Sequence, residues 1–254
     1  MPLIEYTLDG PVDRVAIAVE RLRSFEPPEG YWLAFSGGKD SVVLYRLAEM
    51  AGVCFDAHYQ VTTVDPPELL RFIRAHYPAV AWERPEKTMW QLIAVNGYPP
   101  TRLARYCCED LKERGGDGRT VLTGVRWAES AKRKTRSMVE ACYTGRKHYV
   151  HPIIDWADSD VWQFIRSEGL AYCSLYDEGF KRLGCVMCPM GDTRQMERDA
   201  QRWPMIYRAY LRAFDRMIEA WAAKGKPRTW ASSEECVRWW IYGRESEPPQ
   251  NGLW

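Results

Sequence analysis

Residues Ser36-Gly37-Gly38-Lys39-Asp40-Ser41 stand between an apolar run, Tyr31-Trp32-Leu33-Ala34-Phe35, and a helix-like segment from Val42 to Ala48. The order strand, glycine turn and helix start constrains this chain more than any other feature. Paired glycines let the backbone approach a ligand, successive amide N–H groups converge, and the helix dipole adds partial positive charge at the same point. Such a cradle suits a phosphate. Lys39 supplies a mobile full charge, Ser36 and Ser41 supply hydroxyl donors, and Asp40 serves either as a magnesium ligand or as a helix cap. A blander reading stands beside this one, because Gly-Gly turns followed by Lys-Asp-Ser also occur at ordinary strand-to-helix corners. The Walker spacing, with a glycine five positions before Gly-Lys, is absent.

The rest of the chain supplies the frame. Val12 to Ser24 has helical periodicity and is closed by Pro27-Pro28; Val53 to Tyr59 and Val80 to Glu83 read as strands, and Pro66 to Tyr77 and Thr88 to Val95 as helices. Arg102 to Arg114 reads as a helix ended by Gly115-Gly116, and Thr120 to Val125 as a buried strand. Alternation of this kind predicts an α/β fold with a parallel sheet covered by helices on both faces. Its ligands are then expected at the C-terminal strand ends, where Gly124, Arg126, Glu129, Ser130 and Arg133 follow one another in a stretch too polar for core. Thr63, Asp65 and Glu68 occupy the same edge after the second strand, although Asp65-Pro66-Pro67 is equally a helix-start signal. Residues 137–150 form an excursion returning at His148 to Val150, His151 to Trp156 reads as extended, and Asp158 to Glu168 as a helix. Beyond the loop from Leu175 to Gly191, three helices are expected at Arg194 to Arg202, Pro204 to Ala223 and Ser232 to Tyr242, with a mobile tail after Gly243. The expected division is 1–192 for the α/β part and 193–254 for the helical extension.

Charge nearly cancels over the 254 residues, at +1, so no global basic field points to nucleic acid. The N-terminus lacks a signal-peptide pattern and no apolar run reaches membrane-spanning length, which predicts a soluble, cytoplasmic protein. Eight cysteines in such a compartment favour thiol or metal chemistry over disulfides. Cys107-Cys108 and Cys185-Val186-Met187-Cys188 form two pairs; Cys54, Cys142, Cys173 and Cys236 stand alone. Four thiolates so arranged suit zinc or an iron–sulfur cube. Vicinal cysteines on a helix diverge by about 100° and bite one small ion poorly, whereas a cube offers separate corners.

The glycine loop, together with Thr62-Thr63-Val64-Asp65-Pro66-Pro67-Glu68, the Cys-Cys helix, Gly124-Val125-Arg126 with Glu129-Ser130, Asp155-Trp156 before a helix, and Gly184-Cys185 to Cys188-Pro189, resembles the phosphoadenylyl-sulfate (PAPS) reductase family of the PP-loop ATP pyrophosphatase superfamily. The similarity runs from about Leu33 to Arg216. It implies a Rossmann-like sheet of the five-stranded type, a loop that grips pyrophosphate while the α-phosphate of ATP is attacked, and a 4Fe-4S cluster on Cys107, Cys108, Cys185 and Cys188.

Two departures refine what the resemblance implies. Sulfonucleotide reductases carry a catalytic cysteine in a Glu-Cys-Gly-Leu-His type motif that the C-terminal residues here lack, and Cys236 sits in a helix-like context where cysteine usually packs. Those reductases also degrade the Gly-Gly-Lys-Asp-Ser string, which is intact here. The chain therefore looks closer to reductase-like ATP pyrophosphatases, in which ATP adenylates an acceptor oxygen and a sulfur species displaces AMP. On that reading Ser36, Gly37, Gly38, Lys39 and Ser41 grip pyrophosphate, Asp40 holds Mg2+ or orients, and Arg126 and Arg133 neutralise phosphates with Glu129 fixing one of them. Thr63, Asp65, Glu68, Gly124 and Ser130 complete the nucleotide contacts. Implied partners are an adenine nucleotide, a sulfur-donor protein and a nucleic-acid acceptor, the last supported locally only by Lys132, Arg133, Lys134 and Arg136. A homo-oligomer is compatible with this reading and a membrane is not. Direct reduction of adenylyl sulfate or PAPS is the alternative activity. A non-catalytic nucleotide-sensing module, docking through Trp203, Trp221, Trp230, Trp239 and Trp240, is the second alternative.

Overall fold

Parallel strands with intervening helices organise the computed structural model, which describes residues 3–7, 10–141, 147–225 and 229–243. Cys142 and the tail after Gly243 lie outside them. In chain order the elements are β1 (Ile4–Thr7), β2 (Gly10–Asp13), α1 (Arg14–Ser24), β3 (Tyr31–Ala34), α2 (Lys39–Ala51), β4 (Phe55–Gln60), α3 (Pro67–His76) and β5 (Ala81–Glu83). They continue with α4 (Met89–Asn96), α5 (Tyr106–Leu111), β6 (Thr120–Leu122), β7 (Val139–Ala141), β8 (His148–Val150) and α6 (Asp158–Ser167). Three helices follow, α7 (Thr193–Arg202), α8 (Pro204–Ala223) and α9 (Ser233–Tyr242).

Two compact units arise, each from three chain segments: Met1–Gln60, Pro67–Glu83 and Gly115–Leu183 in the first; Val61–Pro66, Arg84–Arg114 and Gly184–Trp254 in the second. The first unit holds a six-stranded sheet in the order β5-β4-β3-β6-β8-β7, parallel throughout except for β7 against β8 at one edge. Leu33, Val43, Leu44, Leu47, Ile73, Leu122 and Phe164 are fully buried in that unit. Continuous apolar runs such as Tyr31-Trp32-Leu33 suit strands buried on both faces. In the second unit, Tyr210 and Phe214 of α8 pack with Trp90 of α4 and Trp240 of α9, at ring separations of 4.8 to 6.1 Å. Trp203, Trp230 and Trp240 are buried, so these aromatics serve mainly as core. Among the described residues no helix is long and apolar enough to cross a membrane.

Three local expectations are corrected. The segment beginning at Val12 opens as a β1–β2 hairpin, and the helix starts only at Arg14, capped by Asp13, whose carboxylate accepts from Val15 and Ala16 N–H. Arg102 to Arg114 yields only the short α5, because Thr101 and Ala104 close a turn on each other and Arg105 offers no side-chain cap. His151 to Trp156 is turned rather than extended, with Ile154 N–H donating to His151 C=O and Trp156 N–H to Ile153 C=O. The β-branched pair Ile153-Ile154 satisfies the strand pattern, yet it is buried on a turn.

Candidate functional site

β3 delivers the chain to a turn that only glycine fits. Gly37 has φ +71°, and a Cβ there would stand 2.7 Å from Leu69 Cδ1 and 2.8 Å from Ile73 Cδ1. Left-handed backbone and absent space exclude a side chain together. Gly38 caps α2 without any side-chain hydrogen bond. Its N–H donates to Ser36 Oγ at 3.3 Å, its carbonyl accepts from Ser41 Oγ at 2.8 Å, and the two serine hydroxyls lie 3.2 Å apart. The loop is thus braced by its own serines at the positive end of a thirteen-residue helix.

β6 ends beside this loop. A Cβ on Gly124 would meet Asp40 Cβ at 2.9 Å and the Asp40 backbone at 3.1 Å, so Gly124 is what lets the start of α2 touch the sheet edge. From the same edge Arg126 reaches inward. Its Nε donates to Asp40 Oδ1 at 2.7 Å, its Nη2 to Asp158 Oδ1 at 3.1 Å and its Nη1 to Trp156 C=O at 3.2 Å. Lys39 Nζ lies 3.1 Å from Asp158 Oδ1 and 3.5 Å from Asp40 Oδ2. Two cations and two carboxylates therefore interlock at the mouth of the loop. The Lys39 and Arg126 side chains are only 5% and 2% exposed, whereas Asp158 is 62% exposed. Partial burial works to raise the Asp158 carboxyl, but hydrogen bonding and charge from Lys39 and Arg126 outweigh it and hold the group below its ordinary value.

Arg126 corrects the expectation that everything from this residue onward is too polar for core. It is buried because two carboxylates and a carbonyl accept one hydrogen bond from each of its three guanidinium nitrogens. Glu129, Ser130 and Arg133 remain toward solvent: Glu129 Oε1 accepts from Arg126 N–H at 2.9 Å, Glu129 pairs with Arg133, and Ser130 Oγ accepts from Arg133 N–H at 3.3 Å. In the basic run, Lys132 and Lys134 are exposed, and Arg136 pairs with Glu140 at 3.1 Å.

Two residues of this constellation carry no sequence signal as site residues. Asp158 reads as a helix cap, and Tyr176 as one aromatic in a loop. Yet the Tyr176 hydroxyl accepts from Lys39 N–H at 2.9 Å, and Lys39 Nζ lies 5.9 Å from its ring centroid.

Thr63 and Asp65 belong to the second unit, whereas Glu68 stands in the first turn of α3 in the first. Asp65 is buried, accepting from Thr62 N–H at 2.8 Å and from Thr62 Oγ1 at 2.7 Å. Thr63, at φ +65°, accepts from Met89 N–H at 3.0 Å. Their polar groups are committed within that unit.

The second unit also gathers the paired cysteines. Cys107 and Cys108 ride on α5, while Cys185 to Cys188 form a turn with three anchors. Val186 N–H donates to Val64 C=O at 2.8 Å, Tyr210 OH donates to Val186 C=O at 3.3 Å, and Met187 N–H donates to Asp199 Oδ2 at 2.9 Å. Met187 takes φ +56°, the left-handed region that a side chain rarely adopts. The hydrogen bond with Cys108, then burial, then the charges of Cys108, Cys185 and Cys188 push the Cys107 thiol up. Cys108 is held down, first by the Cys107 hydrogen bond and then, against burial, by Arg105 and Lys112. Lys112 is pushed up by Cys185 first, with Cys188, Asp65 and Cys108 adding to this against the cost of burial. Among the described residues no three cysteine, histidine or acidic side chains are grouped to hold a metal ion. Lys112 and Arg105 stand where they offset negative charge on these thiols. Cys236 is fully buried in α9, and burial pushes its thiol up.

Comparison with known proteins agrees with this architecture. A family model described as phosphoadenosine phosphosulfate reductase domain matches residues 30–191. An uncharacterized protein of Methanocaldococcus jannaschii is 29% identical over 214 residues, which cover 76% of this chain and 44% of that protein. The adenosine 5'-phosphosulfate reductase of Oceanobacillus iheyensis is 25% identical over 185 residues, covering 67% of this chain and 75% of that enzyme. Phosphoadenylyl-sulfate reductase from Candida auris, crystallised as a phosphate complex, has a similar fold, with TM-score 0.54 at 17% identity over 67% of this chain and 89% of that one. The chain spans less than half the length of the two M. jannaschii relatives it matches.

Proposed function

The chain belongs to the phosphoadenosine phosphosulfate reductase domain family, and from that membership we propose that it is an enzyme which cleaves ATP to AMP and pyrophosphate, adenylating an acceptor for sulfur transfer. The observation that carries this reading is the loop itself. Gly37 admits no side chain, Gly38 leaves the first turn of α2 without a side-chain cap, and Lys39 stands at the helix start with its ammonium already among acidic groups.

In the first step an acceptor oxygen attacks the α-phosphorus, forming an O–P bond. The bond from that phosphorus to the bridging oxygen breaks, and pyrophosphate leaves with the electron pair. The loop amides, Ser36, Ser41 and Lys39 stabilise the charge that develops on the leaving group, while Asp40 and Glu129 hold Arg126 beside it. Mg2+ would accompany the nucleotide, next to Asp40. Arg133 is assigned to the phosphates from its place on the same loop. A sulfur nucleophile then attacks the adenylated centre and AMP departs.

A 4Fe-4S cluster would be held by Cys107, Cys108, Cys185 and Cys188, and when bound it would supply a site for holding or delivering sulfur. The protein's own contribution there is to offset the negative charge with Lys112 and Arg105 and to fix the Cys185–Cys188 turn through Val64, Asp199 and Tyr210. Reduction of adenylyl sulfate or PAPS is the second reading, favoured by the names of the curated bacterial relatives. The burial of Cys236 in α9 weighs against that thiol as its nucleophile.

Incubation with ATP, adenylyl sulfate and PAPS in turn, followed by product analysis, separates these readings. Acceptor-dependent AMP and pyrophosphate from ATP is the expected result. Sulfite from either sulfonucleotide, with ATP untouched, would assign the reductase activity instead. Nucleotide binding without turnover of any of the three would leave the sensing role.

A further inference from the structure

The glycine loop is satisfied from within. Lys39 N–H is engaged by the Tyr176 hydroxyl at 2.9 Å, and Lys39 Nζ by Asp158 Oδ1 at 3.1 Å. The two donors of one residue, main-chain and side-chain, thus each face an oxygen of the protein. Tyr176 presses close, since a Cβ on Gly38 would stand 3.4 Å from its oxygen.

Both oxygens come from one stretch of the fold. Asp158 is the first residue of α6, and Tyr176 ends a short turn at Ser174–Tyr176 that follows it. Trp162 of α6 packs edge-on against the Tyr176 ring at 5.1 Å, and Cys173 and Leu175, on either side of the turn's start, are buried. Asp158 has a second partner in Arg126 Nη2 at 3.1 Å, so it keeps a cation when Lys39 is drawn away. Tyr176 is half-buried and regains a hydrogen bond from water when it lets go.

We propose that Tyr176 and Asp158 together stand in for a diphosphate at the loop, so that a ligand bringing two acceptor groups must displace both to engage the Lys39 amide and ammonium together. A diphosphate can replace the phenol oxygen at the Lys39 amide with one phosphate and the carboxylate at the ammonium with the other. A single phosphate or sulfate can replace only one, and it leaves the other competitor in place. This inference rests on reading the loop as the nucleotide's phosphate site.

The test is calorimetric titration of inorganic pyrophosphate and inorganic phosphate into the full chain and into Tyr176→Phe and Asp158→Asn, each checked for an unchanged thermal melt. Tyr176→Phe alters no charge, so it isolates the competition at the amide. Wild type should prefer pyrophosphate. Tyr176→Phe should tighten pyrophosphate by about three- to tenfold, the worth of one hydrogen bond. Asp158→Asn should tighten pyrophosphate as well. Unchanged pyrophosphate affinity in either variant, or weaker pyrophosphate binding in Tyr176→Phe, would overturn the inference while leaving the loop reading intact, because it would make the replaced group a spectator or a contact to the ligand. Absence of binding by pyrophosphate and by ATP in all three proteins would remove the loop reading and this inference with it.

Discussion

Arg126 Nε donates to Asp40 Oδ1 at 2.7 Å, although 86 residues separate the two in the chain. The contact ties the first turn of α2 to the end of β6, and the same guanidinium reaches Asp158 and the Trp156 carbonyl. A planar guanidinium fork reaches three separated acceptors, whereas the three donors of an ammonium radiate from one nitrogen and do not match that arrangement. Arg126→Lys should therefore lower ATP affinity by about tenfold or more and cost about 1–3 kcal/mol of stability, as expected when buried acceptors lose a charged donor. Titration and urea denaturation of the same preparation measure both effects; wild-type values for each would show that the fork is dispensable.

Gly124→Ala probes the contact behind that ion pair. The added methyl would meet Asp40 Cβ at 2.9 Å and the Asp40 backbone at 3.1 Å, in a place where backbone must move. Overpacking of this kind costs about 1–3 kcal/mol. The loop should lose nucleotide affinity in parallel, because the displaced atoms belong to its own helix start. Chemical denaturation shows the first effect and calorimetry the second.

Asp199 and His151 give the protein two opposed responses to acid. Burial raises the Asp199 carboxyl from 3.8 to about 6, with the Met187 N–H and Arg198 pulling the other way. Burial lowers His151 from 6.5 to about 4, against the pull of Glu140. The folded state holds the Asp199 proton more tightly than the unfolded chain does, so that contribution is present at low pH and is lost as pH rises toward 6. The His151 contribution is present above its unfolded value and is lost as pH falls through 4. Between pH 4 and 6 the two slopes oppose each other. Asp199→Asn keeps an acceptor for Met187 N–H but removes one slope. Its stability should fall more steeply on acidification than wild type's, by about 2–3 kcal/mol across that window. Urea midpoints at a series of pH values report the difference, and parallel curves would refute the assignment.

The cysteine pairs have their own assay. Protein purified without oxygen should be brown and carry about four iron and four sulfide per chain. Cys185→Ser should lose most of that iron. Cys236→Ser, altering a buried helical thiol, should retain it. A colourless protein with stoichiometric zinc would reject the cluster.

The frame of the first unit was legible because parallel strands buried on both faces give unbroken apolar runs, as at Tyr31-Trp32-Leu33, and because glycine, proline and capping residues punctuate them. Ser232, whose side chain accepts from Glu235 N–H at 3.3 Å, and Pro204 at a helix start mark ends that can be read directly. α5 was overestimated because periodicity around Cys107 and Cys108 says nothing about the turn closed by Thr101 and Ala104. Within the candidate site, the residues from Ser36 to Ser41 announce themselves by local order, whereas Asp158 and Tyr176 do not. Their approach to Lys39 is set by how α6 packs against α2 and the turn after it against α3, and no local spacing encodes that. Arg126 was legible as a candidate but not as a buried one, since its burial depends on carboxylates far away in sequence.

In the proposed function the amides at the start of α2, with the ammonium of Lys39, hold the phosphates of an adenine nucleotide. Calorimetric titration of ATP into wild-type protein and Lys39→Ala tests that hold. One site in the wild type and at least about a tenfold loss of affinity in the variant are expected, the scale of a charge-assisted contact. Equal affinities in the two proteins, or no binding to the wild type, would contradict that proposal.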